Sequence, residues 1–341
     1  MLYIDGSHGE GGGQILRTAV AFSVLTKKPV EIDSIRASRP TPGIKPQHYV
    51  AMKSIEELCN GKSEGLEIGS SHLKFTPGEI KGGKYKFDIG TAGSISLVFQ
   101  ACLLSAIKTR EPIIMRVTGG TDVRWSPSWD YFNNVFLKIL QKMGISVETQ
   151  LIKRGYYPKG GGEAILTINP FKEILPLHFG KHQDFSEVAG ILNIANLPDH
   201  IGTRMKHAAI KTLLKKNLKA AIKIEEMQSF SAGTGITLWA QSQDAVIGST
   251  NLGEVGIPAE KIGEDAASQI LQDMEAGATI DIHAFDQIIP YMVIAREKGP
   301  SSCIVREISS HAQTNMWLLK QFFDVEFESR NLGNAFTITV Q

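Results

Sequence analysis

One order of elements is written three times along this chain, and that repetition limits the fold more than any other feature. From Gly13, apolar residues at helical spacing run through ILRTAVAFSVLTKK, followed by Pro29 and the strand-like VEIDSI. A Pro-rich loop, RPTPGIKP, leads to a second helical pattern, HYVAMKSIEELCNG, which stops at Gly61. Alternating and β-branched residues then mark strands in LEIGSSHLKF and KYKFDIG. The order is helix, strand, helix, strand, strand.

It recurs as a helix from Gly93 to Lys108, then Pro112 and IIMRVT, a helix from Trp129 to Met143 stopped by Gly144, and strands ISVETQLI and EAILTIN. It recurs again as PYMVIAREKG, SCIVREI, HAQTNMWLLKQFF, DVEFES and AFTITV. Setting Pro29 on Pro112 brings Arg17 level with Gln100 on the first helix. Units of about 80 residues exceed the periods of stacked arrays. The expected fold is therefore mixed α/β (α+β): three repeated units around a common axis, forming a large domain over residues 1–183 and 277–341. Residues 184–276 interrupt copies two and three. They read as VAGILNIA (strand), TRMKHAAIKTLLKKN (helix), AAIKIEEM, GITLWAQ and DAVIGSTN (strands) and PAEKIGEDAASQILQDMEAG (helix), enough for a smaller inserted α/β domain.

Charge narrows the function. Lys+Arg 36 against Asp+Glu 35 give net +1, so no global field attracts nucleic acid and any RNA site has to be local. The basic run TRMKHAAIKTLLKKNLK reads first as a solvated helix face, with an RNA-tail contact as the alternative. Cys59, Cys102 and Cys303 are scattered without CxxC or zinc spacing, which suits a reducing compartment. MLYIDGSHGEGGG has neither the basic leader nor the apolar core of a signal peptide. No apolar run approaches the ~20 residues of a membrane helix. A soluble, cytoplasmic protein is expected.

Several stretches can carry chemistry. GEGGGQILR packs four glycines around Glu10 ahead of a helix, either as a tight turn or as a loop whose N–H groups meet an anion. It is neither a Walker loop nor a dinucleotide fingerprint. Arg17 follows on the first turns of that helix, with a surface ion pair as the plainer reading. RASRPTPGIKPQH offers Arg36, Arg39, Lys45, Gln47 and His48 in a loop stiffened by Pro40, Pro42 and Pro46, suited to binding phosphate. RGYYPKGGGE reads as a wide hairpin, with Arg154 or Lys159 lining a cleft as the lesser option. In HAFDQIIP, Asp286 and Gln287 either cap a helix or face a nucleotide, and the second alternative is open to Gln100 in the second copy too. TDVRWSPSWDY exposes aromatic and proline surface usable for stacking an adenine or for plain packing.

His311 lies in EISSHAQTNMW. Ser309 or Ser310 can cap the helix, which puts the imidazole in its first turn. The positive helix end disfavours imidazolium, so the ring should be neutral at pH 7, the form that attacks phosphorus. Asn315, four residues on, is placed to orient the ring. A lone histidine is more often structural, so spacing alone leaves the nucleophile and the incidental residue both open.

Taken together, DGSHGEGGGQILR, RASRPTPGIKPQH, RGYYPKGGGE, HAFDQ and SSHAQTN resemble the RNA 3′-terminal phosphate cyclase family, in its order and over nearly the whole chain. The resemblance implies three repeated α/β units with an inserted smaller domain. It implies conversion of an RNA 3′-phosphate end to a 2′,3′-cyclic phosphate, with ATP and Mg²⁺ or Mn²⁺ and a covalent histidine–AMP intermediate on His311. By matched position it implies Glu10 as the metal-proximal carboxylate. Arg17, Arg36, Arg39 and Gln47 become contacts to phosphate and the RNA end, Arg39 also catalytic. Gln100, His283, Ala284, Phe285, Asp286 and Gln287 become nucleotide contacts, with Pro127 against adenine. His8 carries no assigned role. Two other readings share such repeats: a non-catalytic ribosome-assembly relative, which lacks the nucleophilic histidine, and an enolpyruvyl-transferase-like enzyme, which has no use for it.

Overall fold

The computed structural model describes residues 1–341. Its units begin one strand earlier than the sequence pattern does. In unit one, β1 (Leu2–Asp5), α1 (Gly13–Thr26), β2 (Val30–Asp33), α2 (Pro46–Cys59), β3 (Lys62–Glu64) and β4 (Leu73–Thr76) build a sheet in the order β1-β2-β4-β3. In unit two, β5 (Gly83–Asp88), α3 (Ile95–Ser105) and β6 (Ile113–Gly119) are followed by α4 (Trp129–Tyr131). A π-helical turn, Phe132–Phe136, joins α4 to α5 (Leu137–Lys142). With β7 (Val147–Lys153) and β8 (Gly162–Ile168) the sheet order is β5-β6-β8-β7, the same as in unit one.

Unit three opens with β9 (His178–Phe179) and is then interrupted. The interruption holds β10 (Glu187–Ala195), α6 (Asp199–Leu214), β11 (Lys219–Glu226), β12 (Gly233–Gln241), β13 (Val246–Leu252) and α7 (Ala259–Glu275). These strands form their own sheet, β11-β10-β12-β13, with a separate core in which Leu192, Ile236 and Leu238 meet Met205, Ala266 and Ile270. Unit three resumes with α8 (Ile282–Ala295), β14 (Ser301–Val305), α9 (Ser310–Phe322), β15 (Phe327–Asn331) and β16 (Phe336–Val340), and its sheet runs β9-β14-β16-β15.

The protein is thus a mixed α/β fold, with two corrections to the expected order. KYKFDIG does not close unit one; as β5 it pairs in parallel with β6 and opens unit two. In LEIGSSHLKF only the end is strand. Gly69 adopts φ +89° and donates its N–H to the Ile44 carbonyl, so the chain folds over Ile44 before β4 begins.

The first helix of each unit is apolar nearly all round, the pattern of a helix surrounded by protein. Ala19–Phe22 of α1, Ala101–Ser105 of α3 and Ile288–Val293 of α8 are buried, while β7 buries neither face fully. The start of each second helix touches the entrance of the next unit's first helix. Gln47 accepts the Ser94 N–H at 3.1 Å, the Tyr131 hydroxyl donates to Asp281 at 2.5 Å, and His311 meets Glu10 at 3.0 Å. The three units close a ring through these contacts, and the third is the candidate site. No helix is long and apolar enough to cross a membrane.

Candidate active site

Glycine lets the amino-terminal loop reach α9. Gly9 takes φ +57° against the Thr314 side chain, and a methyl group on Gly13 would overlap the His48 ring. Backbone approach at both ends of the loop therefore depends on having no Cβ. Glu10, held between them, points at the α9 start. Its carboxylate accepts from the Ser310 hydroxyl, from Arg39 at 3.1 Å, and stands 3.0 Å from His311 Nε2.

Ser309 is the N-cap of α9: its Oγ accepts the Ala312 N–H at 3.0 Å while its hydroxyl donates to Asp286 Oδ1 at 2.6 Å. Such a cap contributes about 1 kcal/mol. The ring of His311 keeps 43% of its side-chain surface accessible, so the imidazole can be reached from solvent. Burial, Arg39, Arg17 and His283 push its pKa below the ordinary histidine value, against the opposing pull of Glu10. A neutral ring facing an acceptor-only carboxylate donates through Nε2, so Glu10 is placed to take that proton.

Asn315 does not orient the ring. Pro290 lies inside α8 and has no N–H to give the Asp286 carbonyl four residues back. The Asn315 amide supplies that missing donor at 2.8 Å. Nor do Asp286 and Gln287 cap α8; Asp281 does, accepting from the His283 and Ala284 N–H groups. Arg154 lines no cleft: it is fully buried and paired with Asp122, Asp130 and Glu225.

Cations outnumber carboxylates around Glu10. Arg17 has its pKa lowered to about 10 by burial and by Arg36. His48 is lowered to about 3 by burial, Arg17, Arg36 and Lys45, and is neutral, accepting the Lys45 N–H at Nδ1. Arg36 spends one guanidinium nitrogen on the Thr41 and Gly43 carbonyls, bracing its own loop at φ +58°. Gln47 is committed to the Ser94 N–H.

The remaining expected residues form a second group. Asp286 touches the α9 cap, and burial lifts its pKa to about 7. The next residue, Gln287, accepts from the Gln100 amide. One turn before Gln100, the Ser96 hydroxyl donates to the Pro127 carbonyl. His283 is exposed, whereas Ala284 and Phe285 are fully buried and offer a ligand no side-chain surface. Structure therefore joins Glu10, Arg39 and His311 directly, and links Asp286, Gln287, Gln100 and Pro127 in a chain leading away from them.

The model of the family described as RNA 3′-terminal phosphate cyclase matches residues 8–329. The chain belongs to the RNA 3′-terminal phosphate cyclase family. A protein of that name from Methanosarcina barkeri is 42% identical over 341 residues, covering all of both chains. One from Pyrococcus furiosus is 43% identical over 328 residues, covering 96% of this chain and 95% of its own. One from Nitrosospira multiformis is 40% identical over 331 residues, covering 96% and 93%.

Of the cyclase-family stretches, DGSHGEGGGQILR and SSHAQTN lie at opposite ends of the sequence and meet at Glu10 and His311. The expected set leaves out Ser310, although its place beside His311 was a signal. It also leaves out Asp281, which nothing local to HAFDQ reveals.

Proposed function

We propose that this chain is an ATP-dependent RNA 3′-terminal phosphate cyclase with His311 as nucleophile. The observation that carries the reading is an accessible, neutral imidazole at a helix start, its Nε2 3.0 Å from Glu10 and its surroundings rich in unneutralised arginine. That is the environment a phosphate needs: positive, lined by donors, with an acceptor for one proton.

In the proposed sequence Glu10 takes the proton from His311 Nε2 while Nδ1 picks one up from water, so the neutral ring attacks the α-phosphorus of ATP through the Nε2 lone pair. A P–N bond forms, the α–β P–O bond breaks and pyrophosphate leaves. A phosphate oxygen at the RNA 3′ end then attacks the same phosphorus, the P–N bond breaks and the imidazole is restored. The neighbouring 2′-OH attacks the terminal phosphorus, a five-membered ring closes, the P–O bond to AMP breaks and the hydroxyl proton passes to the departing AMP or to water. Adenylylation supplies the leaving group that a phosphate monoester lacks. Because the hydroxyl is in the same molecule, alignment contributes on the order of 7–11 kcal/mol. Arg17 and Arg39 hold the phosphates, while Asp286, Gln287, Gln100, His283 and Pro127 are the proposed nucleotide contacts.

A divalent ion, Mg²⁺ or Mn²⁺, is part of the proposal, and the residues fit it. Glu10 is the one carboxylate facing His311, and such ions are held by one or two carboxylates together with substrate phosphates. When bound, it neutralises phosphate charge. Residues 184–276 are proposed as the inserted domain, and the cell's cytoplasm as the site of action.

Incubation with α-labelled ATP and Mg²⁺, followed by denaturation, tests the reading. Acid-labile, base-stable label is expected on the wild type, and His311→Ala is expected to lose it by a factor on the order of 10⁴ or more. Label that survives in His311→Ala, or no label on the wild type, ends the nucleophile assignment.

A further inference from the structure

One stripe of α9 runs beside the glycine loop. Ser310, Thr314 and Trp317, spaced four and three residues apart, share one helix face. Against them, in reverse order, lie Glu10, Gly9 and His8: the Ser310 hydroxyl donates to Glu10, Thr314 touches Gly9, and Trp317 stacks on His8. The last contact is a parallel ring stack, with centroids 3.7 Å apart and planes 12° from each other. Trp317 is partly buried, but His8 is exposed, so the two-ring stack ends in solvent. The phosphate chemistry above uses neither ring.

Chain geometry fixes how far this stack is from the reacting groups. His8 precedes Glu10 by two residues, a span of at most about 7 Å. Glu10 itself touches His311. Along α9, Trp317 is six residues beyond His311, an axial rise of about 9 Å, so the stack lies on the same helix within the reach of a strand end from the imidazole. It also lies on the flank of α9 opposite the proposed adenosine contacts, since Asp286 meets α9 through Ser309 and Asn315 instead.

Resting on the cyclase reading, we infer that the outer face of His8, backed by Trp317, is the stacking platform for the terminal nucleobase of the RNA. An aromatic face takes any base, so the site holds the end of the strand without reading its sequence. Its purpose is alignment: with the last base fixed, the terminal ribose has fewer orientations open to it while its 2′-OH closes on phosphorus.

The test compares RNA ending in a normal 3′-phosphorylated nucleotide with the same RNA whose last ribose carries no base. Base–aromatic stacking corresponds to about a 5- to 150-fold change in affinity. The wild type should prefer the intact end by such a factor. His8→Ala should lose that preference, weakening intact RNA while leaving the abasic end where it was, and His8→Phe should restore it. Relative to labelling by ATP, the RNA step is the one that falls. If His8→Ala weakens both RNAs equally, the stack only braces the loop and the inference is wrong. If it raises the KM for ATP instead, the ring faces adenine, and again the inference is wrong. A wild type that labels normally but shows no preference for the base overturns the platform alone. A wild type that takes no label overturns the enzyme reading and the platform with it.

Discussion

Two arginines show what the fold does with charge. Arg154 is fully buried, and burial alone would lower its pKa, yet Asp122 and Asp130 outweigh it and hold the guanidinium firmly charged. Asn193 ties both carboxylates together, at 3.2 and 3.1 Å. Arg17 is partly buried beside Arg36 with no carboxylate against it, and its pKa falls to about 10. The first charge is answered inside the molecule and can only be structural. The second is left without an internal counter-charge, as suits the phosphate contact proposed for it. The same contrast holds at the second position of the second helix in two of the units. Asp130 occupies it in unit two and is locked to Arg154, whereas His311 occupies it in unit three and stays accessible.

Substitution should separate the two arginines. Arg154→Ala leaves Asp122 and Asp130 buried without their partner, so the expected loss is about 3–5 kcal/mol, read as a lower urea midpoint. Arg17→Met removes a charge that nothing in the protein answers. Its urea midpoint should hold or rise. Affinity for ATP or for 3′-phosphate RNA should fall about 10- to 150-fold, the worth of one charged hydrogen bond. An Arg17→Met protein that unfolds like Arg154→Ala would erase the distinction.

The comparison also marks what could be read from the chain alone. Helices such as α2 and α7 were legible because apolar spacing is local. Two of the three opening strands were not: β1 has four residues and β9 two, too short to alternate visibly. Assigning KYKFDIG to the wrong unit has the same root, since a strand's sheet is decided by its partner, here β6. Glu10, Arg39 and His311 could be named from their loops, but their contact joins segments about 300 residues apart. Asn315 was misjudged because its task is set by a proline on another helix. The hairpin reading of RGYYPKGGGE left a cleft open as the lesser option for Arg154, because its partners lie outside the hairpin: Asp122 and Asp130 in TDVRWSPSWDY and Glu225 in the interrupting segment.

The smallest expected effect concerns the pH at which labelling begins. Only neutral imidazole can attack, so the rate should rise from acid as His311 loses its proton and be flat by neutral pH. Burial lowers the pKa of that ring first, Arg39 and Arg17 lower it further, and Glu10 raises it. Removing a nearby cation makes imidazolium easier to form, so Arg39→Ala should move the rising limb to higher pH. Removing the nearby anion does the opposite, so Glu10→Gln should move the limb to lower pH while reducing the plateau, because the proton acceptor is gone. Asp130→Asn, at the equivalent place in unit two, should leave the limb where it was and lower stability instead. Limbs that shift in the same direction in Arg39→Ala and Glu10→Gln would mean that the field around His311 is not set by these two residues, and that the open site differs from the closed one in accessibility alone.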